Sequence, residues 1–458
     1  MSHGGNAKAE VRARPRNAMD RRRFLQSLGA GAAACALPGL AGAGSREDRP
    51  PNFIIIFTDD QGYGDLSCFG REDIDTPHVD RLAARGTKFT DFYVAAPICT
   101  PSRAALLTGC YPRRVGLARG VLRPDDRRGM HPQETTIGEV LKGQGYATMA
   151  IGKWHVGFLP PFQPAALGFD EYFGIYHNMD HWETRYFEDE GGMPVKHNDE
   201  VVDRIQKPDT LTERYTENAV RFIRENRDRP FFLYLAHTMP HVPLGVTDRF
   251  RGRSEAGLYG DVIECLDWST GRVIETLNEL GLKENTYVVY TSDNGPSPLA
   301  DGSSGPLRGR KHTTYEGGLR VPCVMWAPGR VPAGRVCSEV ATSMDLLPTL
   351  ARLSGADIPT DHKIDGRDIR PLILGEPGAR SPHEAFFYHN GGGKLRAVRE
   401  GRWKLHLGKQ TELFDLKTDI GESKNVASDH PAIVSRLKDR MQKFDRRLAE
   451  KARPVGKA

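Results

Sequence analysis

The chain has 458 residues, 38% of them hydrophobic and 27% charged, a globular composition long enough for a large core and an appendage. Residues 1–43 hold seven of the 64 Lys/Arg and two of the 59 Asp/Glu, so 57 of each remain and the body is formally neutral. The net +5 thus belongs to the leader, which removes the electrostatic case for nucleic acid as a partner.

Residues 1–43 read as a cleavable export signal. Arg21-Arg22-Arg23-Phe24-Leu25 opens a short Gly/Ala-rich apolar segment that ends at Ala41-Gly42-Ala43. The arginines match the twin-arginine pattern, which sends a prefolded passenger through the export machinery to a bacterial periplasm or the outside. The segment is too short and glycine-rich for stable membrane insertion. One of the seven cysteines, Cys35, lies in it. The other six show no Cys-x-x-Cys or Cys/His zinc spacing.

Beyond the leader, short apolar runs alternate with helical patterns, the mark of an α/β fold with a mostly parallel sheet covered on both faces. Strands are expected within 52–60, 147–155, 229–237, 286–295 and 321–329. Helices are expected over 76–86, 135–145, 257–281 and 344–355. A further helix is expected at Cys99-Thr100-Pro101-Ser102-Arg103, with Thr100 as its cap, Pro101 in its first turn and Gly109 as its end. Cys99 would then sit just before a helix N-terminus, a place for a thiolate or for a modified residue working on an anion. After a Pro/Gly-rich connection near 358–378, hairpin-like strands and an amphipathic helix at 430–452 make a small α+β piece. The expected division is a catalytic domain over 51–375 and a C-terminal domain over 376–458.

Polar residues cluster where these strands end. Asp59 and Asp60 close the first, Lys153 and His155 follow the second, His237 and His241 the third, and Asp293 and Asn294 the fourth. Ligands of open α/β sheets bind outside the carboxyl ends of the strands. Three carboxylates and an amide suit a hard cation, Ca²⁺ or Mg²⁺, because adjacent carboxylates repel unless a cation neutralises them. Lys153, Lys311 and Arg103 suit an anionic ester.

The pentad at Cys99 resembles the Cys-x-Pro-Ser-Arg signature of the type I sulfatases, whose cysteine becomes Cα-formylglycine. The stretch Gly145 to Gly157, GYATMAIGKWHVG, matches that family's second signature. FTDDQGYGDL, TSDNG, RGRKHTTYEGGLRVP and the closing ELFDLKTDIGESKNVA match further blocks in order, over about residues 51–427. The resemblance implies an alkaline-phosphatase-like sheet flanked by helices, with a small C-terminal sheet domain. It also implies hydrolysis of an aryl or carbohydrate sulfate, and a formylglycine-generating enzyme as partner. By the same resemblance, Asp59, Asp60, Asp293 and Asn294 bind Ca²⁺ with modified Cys99. Arg103 holds the aldehyde hydrate, and Lys153 and Lys311 bind sulfate. His155 takes a proton, and His241, with Lys311 as its acid, serves the leaving group. His237 is an alternate for that last role. His177 to Phe187 and the region of His131 are expected to line the pocket. A phosphatase or phosphonate hydrolase of the same fold is the competing reading.

Overall fold

The structure is a computed structural model that describes Met1, residues 49–358 and residues 363–458. The export signal expected over 1–43 lies outside the described residues, Met1 apart. The described residues from 49 onward belong to one compact unit.

Its centre is a ten-stranded sheet: β1 (Asn52–Thr58), β2 (Thr87–Phe89), β3 (Ala147–Lys153), β4 (Glu171–Ile175), β5 (Met193–His197), β6 (Glu200–Ile205), β7 (Phe231–Ala236), β8 (Thr286–Ser292), β9 (Cys323–Trp326) and β10 (Arg335–Cys337). The spatial order is β10-β2-β9-β8-β1-β7-β3-β4-β5-β6. The five middle strands, β8, β1, β7, β3 and β4, are parallel, so all deliver their carboxyl ends to one edge. All five sequence-expected strands form. The last of them, β9, runs antiparallel to β8.

Both faces of the five parallel strands are buried, as parallel strands require, whereas the edge strand β6 is largely exposed. In β1, Phe53, Ile55 and Phe57 enter one core, and Ile54 and Ile56 the other. The second core is covered by α1 (Pro77–Ala84), α4 (Leu211–Glu225) and α5 (Gly257–Glu279). The first is covered by α2 (Cys99–Thr108), α3 (Ile137–Gly143) and α6 (Leu346–Ser354). Helix α4 is one the sequence reading missed, although Leu211, Tyr215, Ala219 and Phe222 recur at helical spacing and are buried. The C-terminal strands β11 (Phe386–His389), β12 (Leu395–Glu400), β13 (Trp403–Leu407) and β14 (Thr411–Asp415) form an antiparallel sheet backed by α7 (Pro431–Glu450). Val398, Leu405 and Leu437 of this piece join the core that holds Phe53 and Phe57. No helix among the described residues is long and apolar enough to cross a membrane.

The turn into α2 differs from the sequence expectation. Ile98 occupies the cap position and Cys99 is the first helical residue, with no side-chain cap. Thr100 instead donates its hydroxyl to the His155 carbonyl at 2.7 Å and accepts the Leu122 N–H at 3.1 Å. The hydroxyl that was read as a cap therefore ties α2 to the loop after β3. Gly109 ends the helix in the left-handed region, as expected.

Gly152 lies beside Lys153 at φ +97°, and a Cβ there would stand 1.9 Å from the Ala236 carbonyl oxygen of β7. Gly152→Ala is expected to destabilise the protein by about 3 kcal/mol or more, because strained φ and a backbone clash add. Thermal melting checks this. An unchanged midpoint would mean that β3 and β7 part without penalty.

Candidate active site

Parallel pairing aligns Thr58 of β1 with Ser292 of β8, so the residues that follow face each other. The Asp293 N–H donates to the Thr58 carbonyl at 3.0 Å, and the Asp60 N–H to Asp293 Oδ1 at 3.0 Å. Asn294 Nδ2 donates to Asp60 Oδ1 at 2.7 Å. The first turn of α2 enters between these strand ends. Cys99 Sγ stands 3.6 Å from Asp59 Oδ1 and 3.7 Å from Lys311 Nζ. It is shared by two groups of potential ligand atoms, one with Asp59 and Asp293, the other with Asp60 and His241.

Each carboxylate has a buried cation. Lys153 Nζ donates to Asp59 Oδ2 at 2.7 Å, and Lys311 Nζ to Asp60 Oδ2 at 2.7 Å. Arg103 donates through Nε and Nη2 to Asp293 Oδ2 at 3.2 and 3.0 Å, and through Nη1 to the Lys153 carbonyl at 2.8 Å. Burial raises both carboxyls, but Lys153, His241, Arg103 and Lys311 outweigh it at Asp59, and Lys311 and His241 outweigh it at Asp60, so both are held below the usual range. Asp293 is pushed up to about 7 by burial and by the charge of Asp59. Burial pushes the Cys99 thiol up to about 12, which keeps it protonated and leaves thiolate chemistry without support.

The histidines separate. His241 donates Nδ1–H to the Val242 carbonyl at 2.7 Å, which turns Nε2 toward Asp60 Oδ2 at 3.7 Å. His155 is buried, with Nε2 3.0 Å from the Leu122 carbonyl and 3.5 Å from Glu183 Oε1. His237 does not join the cluster. Strand alternation sends it to the face of Leu233 and Leu235, where Nε2 meets Ser269 Oγ at 3.3 Å and the ring lies against Tyr215. Burial there drives its pKa down to about 3. The substrate-binding role expected for His237 is corrected accordingly: it is a core residue, and His241 is the histidine that β7 delivers to the site.

Glu183 is the site residue the sequence reading missed by role, although it lies within the expected pocket segment 177–187. Its only local signal is the Asp180-x-x-Glu183 spacing of a helix start, which is observed: Asp180 caps the turn His181–Thr184. In the same segment Trp182 is 62% exposed, and the Arg185 guanidinium lies 5.5 Å from its ring centre. The Met130 N–H donates to the Val156 carbonyl at 2.7 Å, which lays the His131 region against the loop of His155. Among the described residues, five non-glycine residues have positive φ, and Asp60, His155 and His312 of these lie in or beside this cluster. Such backbone persists only where surrounding contacts hold it, as at functional sites.

Three carboxylates and an amide at parallel strand ends, ringed by fixed cations, make a site suited to an anionic ester. The chain belongs to the sulfatase family, matching it over residues 51–356, and it is a sulfuric ester hydrolase. Residues 310–447 match the "N-sulphoglucosamine sulphohydrolase, C-terminal" family. Arylsulfatase A of Homo sapiens is 39% identical over 453 residues, covering 86% of this chain and 88% of that protein. N-acetylgalactosamine-6-sulfatase of Canis lupus familiaris is 39% identical over 415 residues, covering 85% of this chain and 78% of that protein. The solved structure of Ps i-CgsB in complex with k-i-k-neocarrahexaose is 30% identical, with a TM-score of 0.79, and covers 88% of this chain and 94% of that one. The architecture is the alkaline-phosphatase-like one that the resemblance implied.

Proposed function

We propose that the chain is an exported, calcium-dependent sulfatase that cleaves an aryl or carbohydrate sulfate monoester through formylglycine made from Cys99. The observation that carries this reading is Cys99 Sγ on the first turn of a buried helix, 3.6 Å from Asp59 Oδ1 and 3.7 Å from Lys311 Nζ and grouped with the carboxylates of Asp59 and Asp293.

The donor set fits a hard cation. Asp59, Asp60 and Asp293 supply carboxylate oxygens, and Asn294 Oδ1 is buried with no hydrogen-bond partner among the described residues. A buried acceptor without a partner is uncommon and suits an ion. Ca²⁺ held there by these four residues and by residue 99 would supply Lewis-acid stabilisation of developing negative charge. As a hydrated aldehyde, residue 99 would supply two hydroxyls, one to attack sulfur and one to drive sulfate out.

The chain's own residues do the rest. Three carboxylates are balanced by Lys153, Lys311 and Arg103, so a divalent cation leaves the site net positive for a sulfate anion. Lys153 and Lys311 bind the sulfate oxygens, and Arg103 orients residue 99. His241 and Lys311 are the partly accessible members, with side chains 10% and 8% exposed, and face the leaving-group oxygen. His155 accepts the proton that sulfate release requires. Exposed Trp182 suits stacking on a sugar or aryl ring. Residues 1–43 address the folded enzyme to the twin-arginine export machinery.

The test is twofold. Enzyme made beside a formylglycine-generating enzyme is expected to give a residue-99 peptide lighter than its cysteine form, and to hydrolyse 4-nitrophenyl sulfate over 4-nitrophenyl phosphate. Unmodified thiol in active enzyme, or preference for the phosphate, would overturn this reading.

A further inference from the structure

The Glu183 carboxylate is placed with more care than a pocket wall needs. It is 2% exposed, and its Oε2 accepts the Asn178 N–H. Asp180 Oδ1 accepts the Glu183 N–H at 3.2 Å and so fixes the turn that carries it. Its Oε1 lies 3.5 Å from His155 Nε2. The Leu122 carbonyl stands closer to the same nitrogen, at 3.0 Å.

A carbonyl oxygen only accepts, so Nε2 carries the proton and Nδ1 carries the lone pair. Nδ1 is buried and has no partner among the described residues. The backbone that carries the ring is held on both sides: the His155 N–H donates to the Tyr176 carbonyl at 2.9 Å and its own carbonyl accepts from Thr100 at 2.7 Å. Burial opposes a second proton on this ring, as do the charges of Lys153 and Arg103, and Glu183 is the group that favours it. The His177 ring, edge-on to His155 at 6.0 Å, is held neutral by burial, with its pKa driven down to about 4.

We infer that Glu183 is the positioning residue of the proton acceptor: beside the Leu122 carbonyl that fixes the Nε2–H form, its carboxylate supports that form and carries the counter-charge while Nδ1 takes a proton from the reacting centre. The proton moves to Nδ1, Nε2 keeps its own, Glu183 stays ionised, and the added proton leaves to solvent after sulfate departs. This is the logic of a carboxylate that orients a histidine base without itself being protonated. The inference rests on the reading of His155 as the acceptor.

Glu183→Gln, Glu183→Asp, His155→Ala and the double variant Glu183→Gln/His155→Ala test it with 4-nitrophenyl sulfate. Glu183→Gln is expected to show a first-turnover burst of 4-nitrophenol while steady-state kcat falls about 10²-fold, with KM falling alongside it so that kcat/KM stays near wild type, and with Glu183→Asp recovering part of the kcat loss. In the His155→Ala background, Glu183→Gln is expected to change kcat by less than about twofold, because a group acting only through His155 has nothing left to act on. Multiplied losses in the double variant would overturn the inference, as would a wild-type rate in Glu183→Gln. A normal rate in His155→Ala would overturn the reading beneath it instead. Nitrogen-15 NMR of the wild-type His155 ring is independent of turnover: the Nε2–H form supports the inference, and the Nδ1–H form overturns it.

Discussion

Cys99→Ser, produced beside a cysteine-specific formylglycine-generating enzyme, is expected to lose sulfatase activity by about 10⁴-fold or more and to keep its melting temperature. Serine escapes conversion and leaves one unactivated hydroxyl where the mechanism needs two. The fold has little reason to respond. Cys99 is 1% exposed, its Sγ makes only long polar contacts of 3.6 and 3.7 Å, and α2 keeps all its other buried side chains. A smaller oxygen at that point removes no strong interaction. Hydrolysis of 4-nitrophenyl sulfate, paired with thermal melting, separates the two effects. Activity within tenfold of wild type would place the nucleophile elsewhere.

Asp59→Ala is expected to remove both activity and stability. Asp59 is the carboxylate on Lys153 at 2.7 Å, it also lies 3.5 Å from Arg103 Nη2, and all three side chains are fully buried. Deleting it strands a buried ammonium, and breaking a buried pair from one side costs about 3–5 kcal/mol. For a chain of this size that is a drop of roughly 4–6 °C in melting temperature. Chelation should mimic the loss of activity, slowly, since the site is enclosed. It should not mimic the full loss of stability, since Asp59 still pairs with Lys153 when no ion is bound. A stable, active Asp59→Ala protein would rule out both the ion pair and the metal site as described. Full activity after exhaustive chelation, checked by elemental analysis, would rule out the metal site alone.

These two residues also show what was legible beforehand. Asp59, Asp60, Asp293 and Asn294 could be grouped from the sequence because each follows a run of apolar residues that only a buried strand explains. Parallel strands then bring such ends to one edge whatever their spacing in the chain. Cys99, Arg103, Lys153 and Lys311 were reachable because the motifs that carry them are contiguous. His237 was misread because it and His241 both follow β7, and nothing in the order of residues says which one the alternation of the strand turns into the core. Glu183 was passed over for the same kind of reason: its neighbours predict a helical turn, not the direction in which that turn faces.

The sequence by itself determined the α/β plan, the strand ends that meet, the charge types gathered there and the family, because apolar periodicity and short motifs are local properties of the chain. Only the tertiary structure decided which histidine enters the site, that Thr100 bridges to the His155 carbonyl instead of capping its helix, and that Glu183 reaches His155. Those outcomes depend on which face of an element is buried and on contacts between residues tens of positions apart, where packing of the whole chooses among side chains that are locally equivalent.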